Sequence, residues 1–288
     1  MIPNALSVAG SDPSGGAGIQ ADLKSFAANR VYGMAALTAL TVQTTRGVRA
    51  VHTLPPAFVA DQITALREDA PIHAVKIGMI ATAEIAEAVA GALAGIEAPI
   101  VLDPVMVAKG GDRLLAREAV AALATRLLPM AALLTPNLPE AEALLAAAGR
   151  AGGPIRDRAG MAEAGRALRT LRAGPGGPEP GARGQGKRRP GAVLVKGGHL
   201  EGAESPDLLV WEGGELWLEG ARVATRNTHG TGCSLSSALA ARLARGEDLP
   251  TACLNAKAWL SGAIATADRL DAGGGHGPLH HFHALWGA

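Results

Sequence analysis

The sequence predicts an α/β fold built on a mostly parallel sheet, and three observations carry that prediction. Short apolar runs alternate with segments of helical periodicity through the first half of the chain. The helical segments are roughly 10 to 15 residues long, the length of a right-handed crossover between parallel strands. Hydrophobic residues make up 48% of the chain and charged ones 18%, enough apolar material for a sizeable core.

Residues 5–10 (ALSVAG) read as a buried strand. Ile19, Leu23 and Phe26 then fall about one turn apart, which makes 19–29 an amphipathic helix. Residues 35–43 (AALTALTVQ) read as a second strand. Prolines open a helix over 55–69, with Phe58, Ile63 and Leu66 at helical spacing. The runs 75–80, 100–105 and 133–137 are further short strands, each followed by an Ala/Leu/Glu-rich helix. The alternation breaks at 173–191 (AGPGGPEPGARGQGKRRPG), where Gly, Pro and basic residues offer nothing to bury. A flexible surface insertion is expected there, and not a domain linker, because a strand over 192–196 follows directly. Residues 207–223 change to two alternating runs around Gly213 and Gly214, a hairpin pattern. Helices are expected over 232–245 and 251–270, and one α/β domain is the expected count.

Charge excludes one class of function. Lys and Arg number 27 against 26 Asp and Glu, without the basic excess that nucleic-acid binding needs. The opening MIPNALSVAGSDPSGG lacks a basic segment followed by an apolar one, so no signal peptide is expected. No apolar run reaches the ~20 residues of a membrane span. Cys233 and Cys253 make no disulfide framework, so a reducing cytoplasm is the expected compartment.

The stretch 227–234 (NTHGTGCS) carries the most chemistry. Gly230 and Gly232 let backbone N–H groups converge, and the helix that starts there points its positive end into the same space. Such a nest suits a phosphate, and better the charge that develops on phosphoryl oxygens in transfer. Cys233 falls in the first helical turn, where the dipole is expected to lower the thiol pKa; it could then take or hold an alcohol proton. The chain contains no G-x-x-x-x-G-K-[ST] loop and no dinucleotide fingerprint after its first strand.

Six segments now stand in order: AGSDPSGGAGIQADLKSF (9–26), VKIGMI (75–80), VLDPVMVAKGGDRLL (101–115), TPNLPEAEAL (135–144), VLVKGGH (193–199) and NTHGTGC (227–233). Together they closely resemble the hydroxymethylpyrimidine/phosphomethylpyrimidine kinases of the ribokinase-like superfamily, and the tail HGPLHHFHALW (276–286) is similar to that family's terminus. The resemblance covers nearly the whole chain outside 173–191. It implies a three-layer sandwich with helices on both faces of the sheet and a small β-hairpin, usually in a homodimer. It also implies two successive transfers from ATP, accompanied by Mg2+, to an aminopyrimidine alcohol and then to its monophosphate.

The same resemblance assigns roles. Gly230, Thr231 and Gly232 form the anion hole and Cys233 is the catalytic thiol. Gln43 offers a donor and an acceptor to the 4-aminopyrimidine edge. Gly10 and Asp22 line the pyrimidine pocket, with Asp22 on the hydroxymethyl group, and Met79 and Val105 wall the ring. Lys196, Asn137 and Lys257 face ATP. Glu140, acting through water, and Asp103 stand on the metal side. Many sugar-kinase relatives carry aspartate where this chain has Cys233. The nearest alternative is a pyridoxine or pyridoxal kinase, and another is a non-catalytic binder, which would be expected to lose NTHGTGC or NLPE. The cluster His280, His281 and His283 is expected to lie at the surface or to dock the tail, and not to hold a metal.

Overall fold

The computed structural model describes residues 1–106, 117–150, 152–171 and 191–286. β1 (Asn4–Ser11), α1 (Gly18–Ala28) and β2 (Tyr32–Thr44) make the first crossover, and β2 turns back at Thr45 and Arg46 into β3 (Gly47–Thr53). Next come α2 (Pro56–Asp69), β4 (Ala74–Ile77), α3 (Ala83–Ala92), β5 (Ile100–Leu102) and α4 (Arg117–Ala122). β6 (Leu133–Leu134), α5 (Leu138–Ala147), α6 (Arg158–Leu171) and β7 (Ala192–Lys196) follow. The hairpin β8 (Asp207–Trp211) and β9 (Gly214–Leu218) precedes α7 (Thr231–Ala244) and α8 (Leu249–Ala265).

These strands form one sheet in the order β3-β2-β1-β4-β5-β6-β7-β8-β9. From β2 through β7 every pairing is parallel; β3 at one edge and β8 and β9 at the other are antiparallel. The central strands read as continuous apolar runs because both faces are covered. Successive side chains point to opposite faces, so Leu6, Val75 and Leu102 pack under Ile63, Ile85 and Val89, while Ala5, Ala74 and Val101 pack under Phe26, Leu235 and Leu239. Helices therefore lie on both faces, as expected. Since β2 and β4 flank β1 on opposite sides, the chain reverses direction across the sheet there. Such a switch opens a crevice at the carboxyl ends of the strands.

Several expectations are corrected. The strands expected over 75–80 and 100–105 stop at Ile77 and Leu102. The second strand runs to Thr44 and continues into β3, which was not anticipated: its residues are half-buried or exposed, so little apolar alternation marks it. β6 spans only two residues, since Pro136 breaks the ladder after it and offers just its carbonyl oxygen to the Lys196 N–H. The final helix stops at Ala265 and gives way to a short 3-10 turn, Ala267–Arg269. The expected insertion at 173–191 lies, apart from Gly191, outside the described residues. No helix among the described residues is long and apolar enough to cross a membrane.

Candidate active site

A cavity of about 1220 Å³ occupies the crevice. Every residue that the resemblance gives a role in substrate, nucleotide or metal binding or in catalysis lies on its wall except Asp22.

At one end stand the tips of β1 and β2. Thr41 and Gln43, two residues apart on one strand, share the face that looks into the cavity. Gly10 leaves room for Met79, whose Cε would lie 2.8 Å from a Cβ at that position. Asp12, buried, receives the Ser14 N–H (2.9 Å) and hydroxyl (2.7 Å) and the Ala17 N–H (2.9 Å). Its Oδ2 also lies 2.7 Å from His229 Nε2. Burial would raise the Asp12 pKa, but the bonds from His229 and Ser14 outweigh it and hold the carboxyl below its usual value. Asp12 and His229 were not singled out in the sequence, although GSDP and NTHG contain them.

At the centre, α7 begins on Gly230 in a left-handed conformation (φ +78°). A Cβ on Gly230 would fall 1.7 Å from the Gly16 carbonyl oxygen, so the two glycine-bearing motifs meet backbone to backbone. No side chain caps α7; the Thr231 N–H reaches the Thr228 carbonyl oxygen at 3.4 Å, while the Gly232 and Cys233 N–H groups face an anion at the cavity wall. Cys233 stands in that first turn, half-buried, with the Gly18 N–H directed at its sulfur. The expectation of a lowered thiol pKa is overturned. Burial is the largest influence and pushes the thiol up to about 11; Asp22 and Asp103 act the same way and Lys76 opposes them. The resting group is a neutral thiol.

Three serines behind Cys233 anchor the helix. Ser234 Oγ lies 2.9 Å from His281 Nε2. Ser236 donates to Asp103 (3.2 Å) and Ser237 to Asp22 (2.7 Å). The assignment of Asp22 to the substrate alcohol is corrected by this arrangement. Asp22 is fully buried, takes both of its oxygens to Lys76 Nζ at 2.8 Å, and accepts a further hydrogen bond from Ser7 (2.6 Å). No acceptor of Asp22 is left for a ligand. Burial would lower the Lys76 pKa, but Asp22 and then Cys233 and Asp103 raise it. Gly78 accommodates that ammonium, since a Cβ there would lie 2.6 Å from Nζ.

Beyond Cys233 the wall is charged. Lys196 Nζ lies 2.8 Å from Asp103 Oδ1 and 3.8 Å from Glu140 Oε2. Asn137 and Glu140 form a reciprocal capping box on α5: Asn137 Oδ1 accepts from the Glu140 N–H (2.9 Å), and Glu140 Oε2 from the Asn137 N–H (2.8 Å). Burial drives the Glu140 carboxyl up to about 7 with help from Asp103, while Lys196 pulls it down. At the far end Lys257 is held by Asp207 Oδ2 and the Ser205 carbonyl oxygen, each at 2.7 Å. The tail docks as expected for its histidines: His280 and His281 are buried, and His281 and His283 pack near the Trp259 ring.

A cavity at the switch point, an uncapped helix start beside a lysine, and a thiol at the same turn define a small-molecule kinase of the ribokinase-like class. The comparisons narrow this. The phosphomethylpyrimidine kinase family model matches residues 12–280, and the chain belongs to that family. It is 48% identical over 284 residues to the hydroxymethylpyrimidine/phosphomethylpyrimidine kinase of Escherichia coli strain K12, covering 98% of each chain. Among solved structures it resembles the phosphomethylpyrimidine kinase of Clostridium difficile 630, with TM-score 0.74, 38% identity, and 92% of this chain and 100% of that one covered. It also resembles the pyridoxal kinase of Staphylococcus aureus in complex with AMP-PCP and pyridoxal, with TM-score 0.81, 30% identity, and 99% and 95% covered.

Proposed function

We propose that this chain transfers the γ-phosphoryl group of ATP to the hydroxymethyl group of 4-amino-5-hydroxymethyl-2-methylpyrimidine, and then phosphorylates the monophosphate to the diphosphate used in thiamine synthesis. One observation carries the reading. A single cavity runs from Gln43 past the uncapped start of α7 to Lys257, so an acceptor alcohol and a nucleotide triphosphate can lie end to end across Cys233. In this arrangement Gln43, Gly10, Met79 and Val105 hold the ring. Gly230, Thr231 and Gly232 receive the transferring oxygens, and Cys233 holds the alcohol proton. Lys196, Asn137 and Lys257 line the nucleotide side.

Catalysis in such a site comes from positioning and charge stabilisation more than from a strong base. A neutral thiol suits that demand, because it can order the alcohol by hydrogen bonding without first ionising. Mg2+ would neutralise charge on the ATP phosphates. Asp103 and Glu140 fit it through water: Asp103 already binds Lys196 and Ser236, Glu140 accepts from Asn137, and Mg2+ keeps several waters of its own. One sheet carries both ends of the cavity, which supports a single kinase domain. The outward face of β2 exposes Leu40 and Val42, apolar surface that a second copy would cover in a homodimer. A cytoplasmic location accords with two unpaired cysteines.

The test is incubation with ATP, Mg2+ and the pyrimidine alcohol, following products by mass, with pyridoxine in a parallel tube. Mono- and diphosphate from the pyrimidine, with little pyridoxine phosphate, is the expected result. Pyridoxine phosphate alone would move the assignment to a vitamin B6 kinase, and no product in either tube would leave a binding protein.

A further inference from the structure

Gln43 stands on an overhang. The ladder between β1 and β2 ends at Ser11 and Leu40, and Thr41 Oγ1 makes a last bond to the Ser11 carbonyl oxygen (2.8 Å). From Val42 to Thr44 β2 continues its ladder with β3, and a register shift between Val42 and Gln43 interrupts it. A two-stranded ribbon is only marginally stable in water. The tip that carries Gln43 therefore needs support from outside the sheet.

Residues 273–278 supply it. The Gly275 N–H donates to Thr45 Oγ1 (3.1 Å) and the His276 N–H to the Thr45 carbonyl oxygen (2.9 Å), so both bonds fall on the turn between β2 and β3. Glycine permits this approach, since a Cβ on Gly275 would lie 2.1 Å from that carbonyl oxygen. Two residues on, the same segment reaches the loop that leads into α7. The Gly277 N–H donates to Asn227 Oδ1 (3.0 Å), and the His229 N–H, one residue before Gly230, donates to the Gly277 carbonyl oxygen (3.0 Å). Asn227 is itself fixed, because its NH2 donates to Asp268 Oδ1 (2.7 Å). Leu279 then buries the chain in the core beside Leu235 and Leu239. One short segment thus grips both the hairpin tip beside Gln43 and the approach to the phosphate nest. Transfer needs the reacting atoms about 3–3.5 Å apart, and a misplacement of about 1 Å can cost about 10²-fold.

We propose that residues 273–278 form a strap that sets the span from Gln43 to the phosphate nest at Gly230–Cys233, an inference that rests on Gln43 as the pyrimidine contact. Thr45 and Asn227, at the two ends of the strap, are positioning residues: they act through it and not on the substrate.

The experiment is a double-mutant cycle on Thr45→Val and Asn227→Ala, with kcat and KM for 4-amino-5-hydroxymethyl-2-methylpyrimidine measured at saturating ATP and Mg2+. Calorimetry with AMP-PCP counts the nucleotide-binding sites, and kcat is expressed per site so that unfolded protein does not enter it. Thr45→Val keeps the shape and removes the acceptor of the Gly275 N–H. It should lower kcat about tenfold, the worth of one hydrogen bond, with KM and AMP-PCP affinity nearly unchanged, because the ring still meets Gln43 but the alcohol is misaligned. Asn227→Ala should lower kcat at least as much. The double variant should lose no more than Asn227→Ala alone, since a strap freed at one end no longer sets the span; independent residues would multiply their losses. Multiplied losses overturn the proposal, as do an unchanged kcat in both single variants or a rise in KM alone. If Asn227→Ala does not fold, Gly277→Ala takes its place in the cycle, since a Cβ there would meet Asn227 Oδ1 at 2.3 Å and part the same contact. A wild type that phosphorylates no pyrimidine would instead defeat the proposed function, and this inference with it.

Discussion

Lys196 Nζ sits 2.8 Å from Asp103 Oδ1 and would lie only 3.2 Å from a Cβ on Gly232. The cation is therefore clamped over the start of α7 and not swung freely at a triphosphate. Asp103 and then Glu140 raise its pKa against the lowering effect of burial, so it remains charged. Lys196→Met should lower kcat by about 10²-fold or more, the cost of losing one aimed charge at a transferring group. Lys196→Arg should not restore it, because the planar fork does not fit a pocket built around a point charge. Steady-state kinetics with both variants checks this, and near-normal kcat in Lys196→Met would remove the lysine from phosphoryl transfer.

Cys233 gives the second prediction. With its pKa near 11, the thiol is almost wholly protonated at neutral pH. Alkylation of Cys233 by iodoacetamide should be slow at pH 7 and accelerate steadily toward pH 11, followed by mass spectrometry of the labelled peptide. Cys233→Ala should reduce kcat by about 10²-fold or more, through loss of the group that orders the alcohol. Rapid labelling at pH 7 would show that the thiolate is the resting form.

Most of the scaffold was legible because parallel strands buried on both faces leave unmistakable apolar runs, as in 192–196, and as in 74–77, where the run 75–80 overshot the strand's end. β3 was not, because a strand that pairs on one side and faces solvent carries no such pattern. The phosphate nest at Gly230 and Gly232 could be read from glycines before a helix. Lys76 could not, since nothing local tells a buried lysine from a solvated one; its partner Asp22 lies 54 residues away in sequence. For the same reason Asp22 was misplaced: the carboxylate is correctly on α1, but its oxygens turn to Lys76, Ser7 and Ser237. The Cys233 pKa went wrong because the helix dipole is visible in sequence and burial is not.

Asp22 and Lys76 are both wholly shielded from solvent. Asp22→Ala would leave the Lys76 ammonium buried without its partner, so it should destabilise the fold by about 3–5 kcal/mol. Chemical denaturation measures this. A variant as stable as the wild type but unable to bind the pyrimidine would return Asp22 to the substrate site.

His281 makes stability depend on acidity. Burial is the main cause that pushes its imidazole down to about 3, with Lys24 and the neighbouring histidines acting alike, so the ring is neutral in the folded protein and bonded to Ser234. In the unfolded chain a histidine titrates near 6.5. A depressed folded value means that the unfolded state binds the proton first. The stabilisation is therefore present above pH ~6.5 and declines as pH falls from there toward 3. His280, lowered in the same direction, adds to the effect. Thermal unfolding should show Tm dropping between pH 7 and pH 5, less the opposing gain from Glu140, whose carboxyl at about 7 takes up its proton in the folded state over the same range. In His281→Gln, which keeps a polar partner for Ser234 and cannot ionise, Tm at pH 7 should be lower but its fall toward pH 5 shallower. An equally steep fall in that variant would place the acid sensitivity elsewhere and leave His281 as packing alone.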